Sequence, residues 1–94
     1  MIEVRRTADG DPLEFEVIVR DGGGETRHHV TSTQATLQRL TGGRHTPEHC
    51  LEAAFRFLLE REPKEAILGS FDVSVISRYF PEFERELPRY LARS

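Results

Sequence analysis

The residues best suited to chemistry lie in positions 45–50, where two histidines and a cysteine stand close together. Imidazole and thiolate are zinc ligands, and two histidines four apart on one helix face form half a metal site. Thr46, followed by a proline, instead predicts that a helix begins here with Thr46 as its N-cap. His45 then lies outside the helix and does not share a helical face with His49, while Cys50 falls on the apolar side. The segment is interpreted as a capped helix start, and no metal or other cofactor is expected.

Two further patterns could suggest chemistry. His28 and His29 are adjacent in a predicted strand, so their rings point to opposite faces and do not chelate one ion. We expect His28 to be partly buried with one hydrogen-bond partner, and His29 to pair with Glu16 across the strands. The glycines at 22–24 precede a strand rather than a helix, which favours a hairpin turn over a phosphate loop. No catalytic residue is named, so the sequence favours a protein that is not an enzyme.

Basic residues recur near the C-terminus, at Arg78, Arg85, Arg89 and Arg93. Acidic residues at 82, 84 and 86 lie among them, and the formal net charge of the chain is −3. Phosphate binding would be opposed by these neighbouring carboxylates. A solvated, salt-bridged surface is the favoured interpretation, and no nucleic-acid partner is expected.

The segment around Pro81 is a candidate partner surface, formed by Arg78, Tyr79, Phe80 and Phe83. Aromatic side chains beside a proline bend suit either a segment that folds back on the core or a patch that binds another protein. Burial of all three aromatic side chains within one chain would remove the basis for the partner interpretation.

Residues 13–20 alternate apolar and polar side chains, the period of two that is typical of a strand. The Asp-Gly-Gly-Gly turn at 21–24 and the extended pattern at 25–31 predict a hairpin. Its register places Arg20 opposite Glu25, Val17 opposite His28, Glu16 opposite His29 and Phe15 opposite Val30.

Asp9-Gly10 predicts a second, two-residue turn to an earlier strand. This turn places Ile2 opposite Val17, Val4 opposite Phe15 and Arg5 opposite Glu14. Both hairpins then share one apolar face, made of Ile2, Val4, Leu13, Phe15, Val17, Val19 and Val30. Agreement between two independent turns predicts a three-stranded antiparallel meander.

Helices are predicted after the meander. Thr31 or Ser32 is the expected cap of a short helix that runs to about Leu40. The helix that begins at Thr46 is expected to run to about Arg61, with polar residues only at every fourth position. The rest of its circumference is apolar, so the sheet must cover one side and the C-terminal helices another.

Proline and aspartate residues divide the C-terminal part into shorter predicted helical segments. Pro63 is expected to start a helical turn, and Asp72 to cap a helix that ends near Tyr79. Pro81 predicts a bend before a last helical segment. Pro88 is expected to weaken or kink that segment.

The 94 residues fit one domain. The sequence predicts an α+β fold in which a three-stranded antiparallel meander (1–31) packs on a central helix, with further short helices in residues 32–94. The chain has one cysteine, which favours a reducing cytoplasm. No apolar run reaches the length of about 20 residues that crosses a bilayer, so no membrane partner is expected.

The run FRFLLEREPKEAIL followed by FDVSVISRYFPEFE resembles a signature of small bacterial conserved-hypothetical proteins, with FLLEREP, IL, FD and YFPE elements. The resemblance covers residues 53–84 and implies no activity, cofactor or catalytic residue. The leading hypothesis is a non-enzymatic interaction module that presents a sheet edge or the segment around Pro81 to a protein partner or a second copy. The alternatives are a small metal- or histidine-dependent enzyme using His45, His49 and Cys50, and a nucleic-acid-binding regulator that uses the C-terminal arginines.

Overall fold

The first three strands form the meander that the sequence predicts, and a fourth strand extends the sheet. The computed structural model describes residues 1–93. The strands are β1 (Ile2–Ala8), β2 (Leu13–Asp21), β3 (Gly24–Ser32) and β4 (Ser70–Asp72), in the spatial order β1-β2-β3-β4. β1, β2 and β3 are antiparallel, whereas β4 runs parallel to β3. The predicted α+β fold class is confirmed.

In the described part of the chain, two α-helices lie between β3 and β4, and two follow β4. They are α1 (Gln34–Thr41), α2 (Pro47–Leu59), α3 (Ile76–Tyr79) and α4 (Phe83–Leu91), with 3-10 turns at Lys64–Ala66 and Val73–Val75. α4 continues through Pro88, so this proline does not end the helix. Within residues 1–93, no helix has the length and apolarity needed to cross a membrane.

One of the two hairpin registers was predicted correctly, and the other was not. Val17 pairs with His28 and Arg20 with Glu25, which confirms the β2–β3 register. From Ile2 to Arg6 the β1–β2 register is two residues away from the prediction, since Ile2 pairs with Val19 rather than with Val17, and an irregularity between Arg6 and Ala8 shifts it once more. Pro12 has no amide hydrogen to donate next to a tight turn, and the connection spans residues 9–12 instead of two residues. A shift of two residues preserves the buried face.

β4 was not predicted, since residues 32–94 were expected to be helical. It pairs residues 70–72 with residues 29–31 of β3. Thr31 Oγ1 donates a hydrogen bond to Asp72 Oδ1 at 2.7 Å, and Asp72 also caps the following 3-10 turn as predicted. Three residues are too few to show the alternation by which a strand is recognised. One outer edge of the meander is therefore covered in part.

The helix caps agree with the predictions in one case and differ in another. Thr46 caps α2 by accepting a hydrogen bond from the His49 amide at 3.1 Å, as predicted. α1 is capped by Thr33 instead of Thr31 or Ser32, because β3 continues to Ser32.

The core lies on both sides of α2, as its apolar circumference predicts. Phe55 contacts the rings of His28 on β3 and Phe71 on β4, with centroids 5.3 and 6.0 Å away. Phe57 points to the other side, where it meets the C-terminal aromatic rings of Phe80, Phe83 and Tyr90. Burying each such ring stabilises the fold by about 1.5–3 kcal/mol. On the edge strand β1, Ile2 and Val4 are only partly buried.

Candidate functional site

His45 lies before α2, outside the helix as predicted, and it nevertheless contacts His49 within the helix. The rings of His45 and His49 are stacked with their centroids 5.1 Å apart. His49 Nε2 lies 2.8 Å from the carbonyl oxygen of Leu91, to which it donates a hydrogen bond. That nitrogen therefore joins α2 to the end of α4 and is not free to bind a metal ion.

Cys50 does not join the histidines. Its side chain is buried in the core, and this burial raises the pKa of the thiol to about 11. A thiol with such a pKa is neither a nucleophile nor a ready metal ligand at neutral pH. In the part of the chain that the structure describes, no group of three or more His, Cys, Asp or Glu side chains could hold a metal ion.

A polar cavity of about 310 Å³ lies beside His45, between the start of α2 and α1. Its cationic group is Arg6, whose guanidinium donates two hydrogen bonds of 2.9 Å to Glu48 and one of 3.2 Å to Asp9. The Arg6 guanidinium in turn lowers the pKa of Glu48. The positive charge that could attract an anionic ligand is thus already neutralised within the chain.

His28 is buried and has two hydrogen-bond partners, where one was predicted. Its Nδ1 lies 2.7 Å from the carbonyl oxygen of Leu68, so Nδ1 donates to that oxygen. Nε2 then accepts from the hydroxyl of Thr26 at 2.8 Å. His29 is exposed as predicted, but its hydrogen-bond partner is Glu14 and not the directly opposite Glu16. His28 is a structural residue that fixes Leu68.

The C-terminal arginines form ion pairs with neighbouring acids. Arg85 and Arg89 pair with Glu86, and Arg93 pairs with Glu60 at 3.3 Å. These contacts match the predicted salt-bridged surface. Arg78 is exposed and makes no ion pair within residues 1–93.

The predicted partner surface is divided by the structure. Phe83 is only 1% exposed and packs on Phe57, so its assignment to a partner surface is wrong. Phe80 is half-buried. Tyr79, by contrast, is 67% exposed, and Arg78 beside it is exposed as well. The proline bend thus turns one aromatic side chain into the core and leaves another in solvent.

Tyr79 lies at an apolar groove of about 300 Å³ between residues 58–68 and residues 71–80. The lining side chains are Leu58, Glu62, Ala66, Ile67, Leu68, Phe71, Val75, Ile76, Tyr79 and Phe80. Leu68 is 47% exposed, and apart from the N-terminal Met1 it and Tyr79 are the exposed large hydrophobic side chains of residues 1–93. Both belong to this one groove.

Ionic and hydrogen-bonded contacts hold the first wall of the groove, residues 58–68. The buried ammonium of Lys64 contacts Asp21 at 2.8 Å and Glu65 at 2.6 Å, which ties the first wall to the β2–β3 turn. Asp21 raises the pKa of Lys64, so the ammonium stays charged. His28 holds the backbone of Leu68, as described above. The first wall of the groove is therefore attached to the sheet at two points, Asp21 and His28.

Leu68 and Glu62 were not predicted from the sequence to belong to a site. The only signal is Ile67-Leu68-Gly69, because two adjacent apolar residues before a glycine cannot both face the same core. No protein family, curated protein or solved structure matches this chain. The resemblance to the bacterial signature stays a prediction. The groove that carries Leu68 and Tyr79, hereafter the Leu68–Tyr79 groove, is the candidate functional site.

Proposed function

We propose that this chain is a non-enzymatic protein-interaction module of the cytoplasm that binds a protein partner at the Leu68–Tyr79 groove. The observation that carries the proposal is the shared location of Leu68 and Tyr79, which are 47% and 67% exposed on one apolar groove. Large apolar side chains that cluster on a surface mark interaction sites, whereas single exposed ones are ordinary.

The chemistry of the groove suits a protein surface better than a polar substrate. Its walls are aliphatic and aromatic, and Glu62 is its one charged lining residue among those described. Tyrosine is enriched at the energetic centres of protein interfaces, because its ring is large and its hydroxyl tolerates water. A groove of this kind accepts apolar side chains from a partner.

The sheet edge is the weaker candidate for the same function. β4 covers part of the β3 edge, which leaves β1 as the other outer strand. β1 carries the exposed charged residues Glu3 and Arg5, and its inner side is partly buried. Charged side chains on an edge strand discourage pairing with another strand. The Leu68–Tyr79 groove has no such protection.

Site-specific photo-crosslinking tests the proposal directly. A photoreactive phenylalanine analogue replaces Tyr79, and cells of the source organism that express this variant are irradiated. We expect a discrete crosslinked species whose second component is identified by mass spectrometry. The matched control carries the analogue at Ala35, an exposed position on α1 outside the groove. This control should give no such species.

A substitution adds specificity to the experiment. Leu68→Asp, introduced together with the photoreactive residue at position 79, places a charge inside the apolar groove and should abolish the crosslink. Ala35→Asp should leave it unchanged. Equal crosslinking from positions 79 and 35, or a crosslink that survives Leu68→Asp, would contradict the proposal.

A further inference from the structure

The charged side chains on the outer face of the sheet, opposite the core, form one continuous row of ion pairs. Negative and positive residues alternate along this row, and successive members lie 2.8–3.3 Å apart in the order Glu3, Arg20, Glu25, Arg27, Glu16 and Arg5. Within residues 1–93, each inner member has two partners of opposite charge in the row, whereas Glu3 and Arg5 have one each. The row therefore ends on two side chains of β1, one negative and one positive.

The backbone of β1 presents its free hydrogen-bonding groups at alternate residues. The Arg20 amide donates to the Met1 carbonyl at 2.9 Å, and the Met1 nitrogen donates to the Arg20 carbonyl at 2.7 Å, so these residues form a hydrogen-bonded pair. Such pairs recur at every second residue of an antiparallel ladder, so the backbones of Glu3 and Arg5 also bond to β2. The residues whose N–H and C=O groups point to the outer edge of the sheet are therefore Ile2, Val4 and Arg6.

These positions select one register for a second copy of β1. Two strands related by a two-fold axis perpendicular to the sheet are antiparallel, and when residue i lies opposite j, j lies opposite i. If Val4 lies opposite Val4 of the second copy, the outward-pointing groups bond to each other and Glu3 lies opposite Arg5 twice. A shift of two residues in either direction places Glu3 opposite Glu3, or Arg5 opposite Arg5. The register centred on Val4 is the one that joins opposite charges.

We propose that two copies of this chain pair edge to edge through β1, in the register centred on Val4, and so join their four-stranded sheets into one. Each row of ion pairs then continues into the other at Glu3 and Arg5. Cross-strand pairs of opposite charge stabilise a sheet, and side chains are closest at the positions without hydrogen bonds, where these two residues lie. On the core side, Ile2 and Val4 are only partly buried in one copy. In the dimer, Val4 packs on Val4, and the aliphatic part of Arg6 packs on Ile2.

The charges on β1 favour a second copy over an unrelated strand. Charged side chains on an edge strand oppose pairing with a strand that does not match them. Glu3 and Arg5 carry opposite signs two residues apart, and an antiparallel second copy presents the same two charges in reverse order. This surface is separate from the Leu68–Tyr79 groove, so the inference goes beyond the proposed function and does not depend on it.

Two charge reversals test the pairing. Glu3→Arg leaves two arginines on the outer face of β1, and Arg5→Glu leaves two glutamates. Either variant alone places like charges opposite each other twice, whereas a mixture of the two restores two attractions. We expect each variant alone to associate about tenfold or more weakly than the wild type, and the mixture about tenfold or more tightly than either variant. Sedimentation equilibrium of the full chain over a range of concentrations measures each dissociation constant.

The comparison between mixture and single variants isolates the contact between copies. Loss of the ion pairs to Arg20 and Glu16 within one chain is the same in both measurements. The matched controls are Glu84→Arg and Arg39→Glu, because these residues form another exposed ion pair, at 2.9 Å, and give the same changes of net charge. Alone or mixed, at about 0.15 M salt, they should associate as the wild type does. Thermal unfolding checks that every variant is folded.

Hydrogen exchange identifies the edge that pairs. The amides of Val4 and Arg6 should exchange rapidly in dilute solution and slowly at concentrations where the dimer forms, whereas those of Glu3 and Arg5 bond to β2 in both states. Val4→Pro removes an amide hydrogen that points to the outer edge, and it should abolish the dimer. Val4→Thr keeps that hydrogen and a β-branched side chain, so this control should retain the dimer.

Three results would overturn the inference. The first is a wild-type chain that sediments as a monomer at every concentration. The second is a mixture of Glu3→Arg and Arg5→Glu that associates no more tightly than either variant alone. The third is a dimer in which the amides of Val4 and Arg6 gain no protection, because the contact would then lie elsewhere on the chain. The crosslink from position 79 tests the groove separately from all three.

Discussion

At each end of α2, the structure shows the opposite of what the residue types suggest. The N-terminal end carries histidines, a thiol and charged residues, which suggests chemistry, yet His49 is bound to the Leu91 carbonyl, Cys50 is buried and Glu48 is held by Arg6. The C-terminal end resembles ordinary core sequence, yet it contributes one wall of the Leu68–Tyr79 groove. In this chain, the reactive residue types are taken up by contacts within the fold, whereas the exposed apolar side chains of the groove are not.

The difference has a physical origin. Polar groups at the N-terminal end lie between α2, β1 and α4, where an unsatisfied donor or acceptor is costly, so each finds a partner inside the fold. Within residues 1–93, no buried side-chain nitrogen or oxygen lacks a hydrogen bond. Apolar groups at the C-terminal end carry no such requirement. They stay exposed where the short 3-10 turns and α3 bring too few neighbours to cover them.

The largest effect on stability is expected for one of the two aromatic residues that flank the proline bend, Phe83, and not for the other, Tyr79. Phe83→Ala should lower the free energy of unfolding by about 3–5 kcal/mol, because it removes a ring that packs on Phe57. Tyr79→Ala should change it by no more than about 0.5 kcal/mol, because the side chain is mostly in solvent. Urea unfolding measures both. Similar losses for the two variants would show that Tyr79 is core and would remove the groove from consideration.

A smaller effect is expected at the histidine that fixes the groove. His28→Leu leaves the Leu68 carbonyl without its donor and should cost about 1–3 kcal/mol of stability. Its neighbour supplies the control, since His29→Leu changes an exposed side chain of the same strand. Hydrogen exchange should show faster exchange around residues 67–69 in His28→Leu alone. Unchanged exchange there would mean that His28 does not hold the groove.

The sequence predicts the parts of the fold that depend on local rules. Glycines at 22–24 and matched alternation set the β2–β3 register, and Thr46 with Pro47 sets the start of α2. The β1–β2 register was wrong because the absent amide hydrogen of Pro12 outweighs the two-residue turn signal at Asp9-Gly10. β4 was missed because its three residues pair with β3 from far along the chain. A strand of this length that pairs with a distant segment shows no alternating pattern in the sequence.

The candidate site was predicted only in part. The aromatic residues beside Pro81 indicated a candidate partner surface, and one of them, Tyr79, is exposed. The sequence could not tell that Phe83 points inward, because the direction depends on how α4 packs against Phe57.

A weaker effect on stability, dependent on pH, is expected at the N-terminal end of α2. The hydrogen bonds from Arg6 hold the pKa of Glu48 below its usual value of 4.5 in the folded chain. The unfolded chain therefore takes up a proton first as the pH falls. The stabilisation by this pair is complete above pH 4.5 and is lost as the pH falls through the lower folded-state pKa.

Two substitutions test this pH dependence. Glu48→Gln should lower the free energy of unfolding at neutral pH by less than about 1 kcal/mol, because the pair is partly solvated. It should also make stability less dependent on pH in acid, and Arg6→Gln should do the same. Urea midpoints measured at neutral pH and below pH 4.5 give both quantities. Variants as acid-sensitive as the wild type would show that the pair does not form.

The smallest effect is expected at Cys50, where the structure predicts almost no reaction. Burial raises the pKa of this thiol to about 11, so at neutral pH it is both protonated and shielded. A thiol reagent such as dithionitrobenzoate should react with the folded chain only as fast as the chain unfolds, and at once in urea. Stabilising the fold should slow the reaction, and Phe83→Ala should accelerate it. If the folded chain is labelled rapidly, at a rate that neither stabilisation nor Phe83→Ala alters, Cys50 is accessible. The N-terminal end of α2 would then again be a candidate for nucleophilic chemistry.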